Sequence, residues 1–467
     1  MKYISTRGNA SPLDFVGVTL AGLASDGGLY VPEYWPHFSE AEIAAMRGLS
    51  YADLAVRIMA PFTKGTLDEA ELKPLCEAAY GRFSHAAITP LVQLDHQHWL
   101  LELFHGPTLA FKDVALQLLG QLFERFLAQS DKALTIVGAT SGDTGSAAID
   151  AVAGRERTEI FMLHPHGRIS DVQRRQMTTV LAPNVHNIAI EGSFDDAQAM
   201  VKRMFNDPEI NGPLKLTAVN SINWARLMAQ VVYYFAAALK LGAPECRVAF
   251  SVPTGNFGDV FAGYVAAQMG LPIETLIVAT NVNDILHRAL SRGDYSVSGV
   301  TPTQAPSMDI QISSNFERLL FDLEGRDGSA MAARMKWFEQ MGKMVLSADM
   351  RKRAKLFQSV RADANETADA MRWAYEQCGQ IIDPHAAIGL HGARSIEFAR
   401  DISVVTLATA HPAKFPDAVE QAVGIRPALP RRLGDLLVCE ERYLILPGDY
   451  ETVRDHILAS AAGPAVP

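Results

Sequence analysis

Lys112 is the residue of this chain whose position best suits covalent chemistry. It lies at the start of a predicted helix, because apolar residues recur at helical spacing from residue 114 onward. The helix dipole and the apolar stretch 109–111 are both expected to lower the pKa of its ammonium group. A partly neutral lysine is an amine nucleophile, most familiarly toward an aldehyde. A lysine that packs its stem on the helix and keeps its head in water is the alternative for this residue taken alone.

A glycine loop far along the chain could bind a phosphate. Gly255, Asn256, Phe257, Gly258 and Asp259 follow a predicted strand and open a predicted helix, so successive backbone N–H groups can converge on an anion. The loop matches neither G-x-G-x-x-G nor G-x-x-x-x-G-K-[ST], which argues against a dinucleotide site and against an NTPase. A glycine turn that only tightens the packing of helix on sheet is an equally good interpretation of the loop by itself.

Two further loops follow predicted strands and carry hydroxyl groups. Residues 140–145 resemble the first loop in geometry, and the hydroxyls of Ser141 and Thr144 could hold a small carboxylate. Thr409 ends another strand, where its hydroxyl could face a cleft or simply cap a turn. Two glycine-hydroxyl loops on different strands make coincidence a less attractive explanation than a shared site.

Basic residues could bind an anionic substrate, although most arginines lie on solvated faces. Arg226 is the best placed, because Asn223 and other polar residues precede it at the start of an apolar helix. Lys414, in the loop after Thr409, is a second candidate, and Arg168, Arg174 and Arg175 are others. Histidines occur in i, i+2 pairs at 96 and 98 and at 164 and 166, but no third ligand accompanies either pair, so no metal site is predicted.

The composition indicates a globular protein with more than one lobe. The chain has 467 residues, of which 48% are hydrophobic and 20% charged, and its formal net charge is −10. This charge argues against nucleic acid or an anionic membrane as a partner. The four cysteines form no C-x-x-C pair, which fits a reducing compartment. No apolar run reaches membrane-spanning length and no signal core is present, so we expect a cytoplasmic protein.

The elements that position these residues indicate an α/β fold. After residue 90, short apolar strands, glycine loops and helices alternate, which is typical of crossover units on a mostly parallel sheet. Ligands of such sheets bind at the carboxyl ends of strands, where the loops described above lie. We expect three lobes: a mostly helical lobe at 1–95, a smaller α/β lobe at 96–245, and a larger one at 246–467 with a helical insertion around 331–376.

With Lys112 and these loops together, the chain resembles the threonine synthase family, pyridoxal-phosphate enzymes with the tryptophan-synthase-β type of fold. The resemblance extends from residues 3–8 and 26–32 to residues 409–415, and its most specific stretch is 105–113. It implies the pyridoxal-phosphate fold type II, with two open parallel-sheet lobes that carry helices on both faces, plus a mostly helical N-terminal lobe. The extended N-terminal lobe is similar to that of the bacterial and fungal branch, which implies a monomer.

The resemblance also implies a role for each candidate residue. Lys112 is the implied Schiff-base and catalytic lysine, and Thr409 the implied hydroxyl partner of the pyridine nitrogen. The implied cofactor contacts are Lys112, Asp143, Gly255, Asn256, Phe257, Gly258, Asp259 and Thr409, and the implied substrate contacts are Ser141, Thr144, Asn223, Arg226 and Lys414. Asp143 stands where many relatives have asparagine beside the cofactor's phenolic oxygen, and a carboxylate there is repulsive unless one of the two groups is protonated.

The implied reaction converts O-phospho-L-homoserine and water to L-threonine and phosphate, with pyridoxal 5'-phosphate as cofactor. Two alternatives remain open from the sequence. A serine or threonine dehydratase would share the cofactor and the lysine, but it would not need basic residues for a substrate phosphate. A non-catalytic relative would keep the fold and bind a ligand, but it would have no need of Lys112 or of an intact phosphate loop.

Overall fold

The computed structural model describes residues 1–128, 133–217 and 221–461, and these fall into two compact units. The larger unit combines residues 1–115 with 221–427, and the smaller combines 116–220 with 428–467. This division differs from the three consecutive lobes predicted at 1–95, 96–245 and 246–467. The reason is that strands from distant parts of the chain pair within one sheet, and the order of strands in a sheet is not visible in a single sequence.

Fifteen strands lie in the described ranges. They are β1 (Tyr3–Ser5), β2 (Tyr30–Pro32), β3 (Leu91–Gln93), β4 (His98–Glu102), β5 (Leu134–Ala139), β6 (Thr158–Pro165), β7 (Val185–Glu191), β8 (Leu216–Thr217), β9 (Val248–Pro253), β10 (Ile273–Thr280), β11 (Asp294–Ser296), β12 (Lys343–Val345), β13 (Phe357–Arg361), β14 (Ser403–Ala408) and β15 (Leu444–Pro447).

Nineteen α-helices accompany them in the same ranges. They are α1 (Phe15–Ala21), α2 (Glu40–Ala44), α3 (Tyr51–Thr63), α4 (Glu69–Tyr80), α5 (Lys112–Leu127), α6 (Asp143–Val152), α7 (Asp171–Thr178), α8 (Phe194–Asn206), α9 (Pro208–Leu214), α10 (Trp224–Lys240), α11 (Gly258–Gln268), α12 (Ile285–Arg292), α13 (Phe316–Leu323), α14 (Gly328–Met341), α15 (Ala348–Arg353), α16 (Ala364–Cys378), α17 (Pro384–Arg394), α18 (Pro416–Val423) and α19 (Tyr450–Ala461). None of these helices is long and apolar enough to cross a membrane.

The larger unit is built on a six-stranded sheet with the order β13-β10-β9-β14-β4-β3. All neighbouring pairs are parallel except β3 with β4. Its strands β9 and β14 are almost entirely buried, as expected for central parallel strands covered by helices. Helix α17 packs on β9, β10 and β14. The predicted α/β class with a mostly parallel sheet is therefore confirmed for this unit.

The smaller unit has a five-stranded sheet of its own, in the order β15-β7-β6-β5-β8, and every pair in it is parallel. Its core is formed by apolar residues from β5, β6 and β7 that pack against α8 and α19. The loop 140–142 follows β5 and leads into α6. The loop thus lies at the carboxyl edge of the sheet, as the crossover pattern predicts.

Local signals in the sequence start the N-terminal helices as predicted. Ser39, Ser50 and Asp68 each cap the helix that follows them by accepting a backbone N–H bond from the residue three positions on. The prediction of a helical insertion around 331–376 is only partly correct. Residues 357–361 form β13, the edge strand that pairs with β10. Five residues between two charged helices are too few for the alternation of a strand to be recognised from sequence.

Candidate active site

Three adjacent strands of the six-stranded sheet lead into the loops that carry the predicted site residues. Strands β4, β14 and β9 are neighbours and run parallel, so their carboxyl ends lie at one edge. The loop to Lys112 follows β4, Thr409 follows β14, and the glycine loop at 254–257 follows β9. Tertiary structure therefore brings together, within one unit, three stretches that are up to 300 residues apart in the chain. This is the edge at which open parallel sheets bind ligands.

Lys112 is the first residue of α5, and only 9% of its surface is exposed. Its Nζ lies 4.8 Å from the centroid of the Phe111 ring. The backbone next to it pairs with the Thr409 segment: Phe111 N donates to Thr409 O at 2.8 Å, and His411 N donates to Leu109 O at 3.0 Å. The predicted lysine and the predicted hydroxyl thus belong to hydrogen-bonded neighbouring segments.

The loop that carries Lys112 is held by buried polar contacts. Asp113 accepts bonds from Thr108 N at 2.8 Å and from Thr108 Oγ1 at 2.7 Å. Lys414 Nζ donates to Thr108 O at 2.8 Å, and Lys414 is fully buried. Through this bond Lys414 supports the lysine loop, and its implied contact with the substrate stays a prediction. Within this loop Leu109 has a left-handed φ of 63° although it is fully buried and not glycine, a conformation that tertiary packing must impose.

The glycine loop after β9 has the form of an anion site. Helix α11 begins directly after Phe257, which is its N-cap, has a φ of 63° and gives no side-chain bond to the helix. The amides of the first turn are therefore not capped by the side chain that usually occupies this position. A Cβ on Gly255 would lie 2.7 Å from Ser307 O, so the backbone there is too close for any other residue. The buried Phe257 ring packs on Phe316 at 5.1 Å, which holds the left-handed residue in place.

Residues that sequence reasoning missed brace this loop from behind. Ser313 Oγ donates to Gly255 O at 2.7 Å, and both the backbone N and Nδ2 of Asn315 donate to Asn256 O at 3.0 Å. These contacts use the carbonyl oxygens of the loop, which leaves its N–H groups as the polar atoms available to an anion. The signal for them in the sequence is weak, since a Ser-Ser-Asn stretch is typical of any turn.

The side chain of Asp259 bonds to two tyrosine hydroxyls. Its Oδ1 accepts bonds from Tyr233 Oη and, at 3.0 Å, from Tyr234 Oη, while no described residue bonds to its Oδ2. Burial raises the pKa of Asp259 to about 6, although the two tyrosine bonds and the charge of Lys112 oppose the rise. Sequence reasoning missed the tyrosine pair. A usable signal existed, because a buried tyrosine hydroxyl needs a partner and this pair lies in an apolar helix.

Asn223 and Arg226 lie at the start of α10, in a segment that reaches the glycine loop. Ser221 Oγ lies 3.3 Å from Ser314 Oγ, which in turn is 3.3 Å from Asn256 Oδ1. Asn223 is buried: its Oδ1 caps α10 at Ala225 N, and its Nδ2 donates to Thr19 O. The structure therefore gives Asn223 a structural role, and its implied substrate contact stays a prediction.

Arg226 is the more unusual residue of this segment. It is 3% exposed, and neither its Nε nor its Nη1 has a hydrogen-bond partner among the described residues. Burial lowers the pKa of the Arg226 guanidinium to about 10. A buried cation without a bound anion is costly, so this residue is the strongest candidate for an anion ligand that arrives from solution. Arg174 and Arg175, by contrast, both pair with Glu441.

In the smaller unit, the loop after β5 presents the predicted hydroxyls. Ser141 and Thr144 are half-buried, and the loop between them is fixed by Thr140, whose Oγ1 accepts bonds from Gly142 N and Gly145 N at 2.9 Å each. Asp143 accepts a bond from Gln173 Nε2 at 2.9 Å, which supplies a neutral donor to the carboxylate that replaces the expected asparagine. Gly142 has a φ of 132°, and a Cβ there would lie 2.5 Å from the Gln173 amide carbon, so glycine is required for this contact.

Comparison with known proteins agrees with this geometry. Three family models match the chain: "Threonine synthase N terminus" over residues 2–80, "Pyridoxal-phosphate dependent enzyme" over 83–334, and "Threonine synthase, C-terminal" over 386–457. The threonine synthase of Pseudomonas aeruginosa is 55% identical over 97% of each chain. The chain belongs to the threonine synthase family.

Solved structures of the threonine synthase family show the same fold. The pyridoxal-phosphate-bound enzyme of Brucella melitensis superposes with a TM-score of 0.96 at 52% identity, covering 99% of this chain and 100% of that one. The yeast enzyme gives a TM-score of 0.94 at 39% identity, covering 99% of each chain. The predicted fold type II and the predicted family are therefore confirmed.

The residues present fit the cofactor of the threonine synthase family. The helix start after Phe257 has uncapped amides for a phosphate, and Gly255 allows close approach of the backbone. Lys112 offers a buried amine for an aldehyde, and Thr409 offers a buried hydroxyl at the same sheet edge. In the ranges 1–128, 133–217 and 221–461, no group of three His, Cys, Asp or Glu side chains could hold a metal ion.

Proposed function

We propose that this protein is a threonine synthase that converts O-phospho-L-homoserine and water to L-threonine and phosphate. The observation that carries the proposal is the convergence of Lys112, Thr409 and the 255–258 loop at one sheet edge, in a chain that is similar to threonine synthases over its whole length. In the reaction, the bond from the γ-carbon to the phosphate oxygen breaks, and water adds its oxygen at the β-carbon.

Each residue at this edge of the sheet has a definable task. Pyridoxal phosphate, when bound, supplies an electron sink that makes the substrate's α-proton acidic. Lys112 Nζ would hold the cofactor at rest and would take and return protons at the substrate carbons. The amides of Gly255, Asn256 and Phe257 would bind the cofactor phosphate, and the Thr409 hydroxyl would contact the pyridine nitrogen. A neutral hydroxyl suits this chemistry, because it does not enforce a pyridinium as a carboxylate would.

Arg226 supports a phosphorylated substrate over a plain hydroxy amino acid. Its guanidinium is buried, and two of its nitrogens lack protein partners among the described residues, so a substrate phosphate would complete its bonding. A dehydratase has no substrate phosphate to bind, so its reaction would not use this buried cation at the substrate. This is the residue-level reason to prefer the synthase to the dehydratase, which would share the cofactor and the lysine.

The loop in the smaller unit supplies the proposed contacts to the amino-acid carboxylate. Ser141 and Thr144 hydroxyls would donate to it. Asp143 would approach the cofactor's phenolic oxygen only with a proton shared between them, and Gln173 keeps its carboxylate oriented. A cytoplasmic monomer completes the proposal. The scattered cysteines support the reducing compartment, since none of the four is in a disulfide.

The experiment that tests the proposal measures phosphate release and threonine formation from phosphohomoserine, alongside keto-acid formation from threonine. We expect the synthase reaction to dominate and the Lys112→Ala variant to lose it. Purified protein should be yellow, and borohydride reduction followed by peptide mapping should place the cofactor on Lys112. Colourless protein that takes up no added pyridoxal phosphate would instead support a non-catalytic binding protein. Keto acid as the main product would support a dehydratase.

A further inference from the structure

A buried aspartate–histidine pair lies at the start of α17. Asp383 Oδ2 accepts a bond from His385 Nδ1 at 2.6 Å, and its Oδ1 accepts one from Ala386 N at 3.0 Å. The two side chains are 0% and 5% exposed. Asp383 thus caps the helix and fixes the imidazole at the same time. An aspartate that accepts from Nδ1 selects the tautomer in which Nε2 has a free lone pair.

The other nitrogen of this imidazole has no partner in the described part of the chain. His385 Nε2 is buried, and no residue that the structure describes lies within hydrogen-bond distance of it. Most buried polar side-chain atoms have a partner, so an exception calls for a ligand or a water. The aspartate already holds the ring rigidly. Because the bond at Nδ1 is enough to fix the side chain, Nε2 remains as a group that a ligand could bind.

The position of α17 places this pair at the edge of the sheet that carries Lys112. Gly392 packs near Ser251, and Gly389, one turn earlier, packs near Pro253, the last residue of β9. The helix therefore runs opposite to the strand, and its first residues extend past the carboxyl end of β9. Ala393, near the end of α17, clusters instead with residues from the amino half of the sheet.

Contacts of His385 and its neighbour point to the Thr409 side of this edge. The imidazole lies against the Phe415 ring, with a centroid distance of 4.9 Å. Phe415 closes the segment that begins with Thr409. The next residue, Ala386, belongs to an apolar cluster with Phe104, which starts the lysine loop, and with Ala408, which ends β14. His385 thus contacts the end of the Thr409 segment, and its neighbour Ala386 packs with the start of the lysine loop.

We propose that His385, oriented by Asp383, is a further cofactor-binding residue, whose Nε2 forms a hydrogen bond with the bound pyridoxal group. This inference rests on the proposed cofactor site at the same edge. It adds to the site a residue pair that the glycine loop and the lysine motif do not indicate. The imidazole supplies a ring nitrogen where Thr409 supplies a hydroxyl, and Asp383 prevents the ring from turning away.

Two substitutions separate a ligand contact from a purely structural role. His385→Asn keeps an amide donor for Asp383 and removes the group at the Nε2 position. His385→Gln keeps a polar group near the Nε2 position and disturbs the bond to Asp383. The full-length protein is stripped of cofactor, and the dissociation constant of pyridoxal phosphate is measured by absorbance for each variant. We expect His385→Asn to bind about tenfold more weakly, the loss of one hydrogen bond, and His385→Gln to retain more of the affinity.

His98 offers a matched control, because it forms a pair with Asp95 at 3.0 Å where β4 begins, at the opposite edge of the same sheet. His98→Asn should leave the cofactor affinity unchanged. In ¹⁵N-histidine-labelled wild type, the Nε2 resonance of His385 should shift on addition of 4'-deoxypyridoxine 5'-phosphate, which lacks the aldehyde and cannot bond to Lys112, whereas that of His98 should not.

The outcomes distinguish this inference from the proposed function. Wild-type affinity in His385→Asn, or an unshifted His385 resonance in wild type that binds the analogue, would overturn the inference and leave the function intact. Wild type that binds no cofactor would overturn the function itself. If both His385 variants also unfold at lower temperature, the resonance shift in wild type decides the matter, since a structural role would not move it.

Discussion

Asp259→Asn should make the cofactor-free protein more stable, and more so at neutral than at acid pH. Burial raises the pKa of the Asp259 carboxyl from 3.8 to about 6. A difference of roughly two pKa units corresponds to about 3 kcal/mol at about 1.36 kcal/mol per unit. Because the folded-state pKa is the higher one, the stability that this group contributes is present below the unfolded pKa and is lost as the pH rises through about 6.

Asparagine keeps an oxygen for the tyrosine hydroxyls and removes the charge that burial penalises. Relative to wild type, we therefore expect the advantage of Asp259→Asn to grow by about 2 kcal/mol between roughly pH 4.5 and pH 7.5. For a chain of this length, that corresponds to about 2 °C in melting temperature. The assay is differential scanning calorimetry of both proteins without cofactor at several pH values.

The matched control is Asp195→Asn, an exposed aspartate in the first turn of α8, which removes the same charge from a side chain that is already in water and should not stabilise the protein. Tyr233→Phe should increase the loss of stability with rising pH, whereas Asp259→Asn removes it. The substitution takes away a hydrogen-bond donor and should raise the pKa of Asp259 further. A difference between wild type and Asp259→Asn that is constant across the pH range would refute the reasoning, because it would mean that this carboxyl ionises in the folded protein as it does in the unfolded chain.

Arg226→Met should stabilise the cofactor-free protein by about 2 kcal/mol, since it removes an uncompensated buried charge, yet lower kcat/KM for phosphohomoserine at least 100-fold. Calorimetry and phosphate release test this, and an unchanged kcat/KM would contradict it. Lys414→Met should lower the melting temperature and slow turnover, because the carbonyl of Thr108 loses its donor. Equal melting curves for the two proteins would show that this bond does not stabilise the loop. Gly255→Ala should weaken cofactor binding at least tenfold, because its Cβ would collide with a carbonyl oxygen, whereas Gly299→Ala, in open space, should not. Absorbance titration compares the two, and equal affinities would show that the backbone can yield.

Single residues show why the fold could be predicted only in part. Ser50 caps α3 and Asp68 caps α4 because the bonds are made within three residues of the cap, so such signals are legible in the chain itself. Strand β13 was missed because its identity depends on pairing with β10, about 80 residues earlier in the chain. The three expected lobes differ from the two units for the same reason, since residues 91–102 join a sheet completed by residue 408.

The same contrast divides the candidate site. Lys112 at a helix start and the glycine loop before α11 were predictable, because both are local patterns with a direct chemical meaning. Lys414 and Asn223 are expected at the substrate, and the structure shows a local role for each that the sequence did not indicate: Lys414 supports the lysine loop and Asn223 caps α10. The type of a charged or polar side chain shows what it can bind, but the surrounding fold decides which partner it meets.

By itself, then, the sequence determined the family and the cofactor class, through the stretches that resemble the family, and it indicated Lys112 and the loops that follow strands as candidates, because these are local patterns. Only the tertiary structure decided which loops share an edge. It also decided that Asp259 faces two tyrosines, that Arg226 is buried without a counter-ion among the described residues, and that His385 is held with one nitrogen unused. These properties depend on burial and on contacts between distant segments. The free energy of a buried charge or polar atom is set by its neighbours in space, which cannot be identified from the order of residues in the chain.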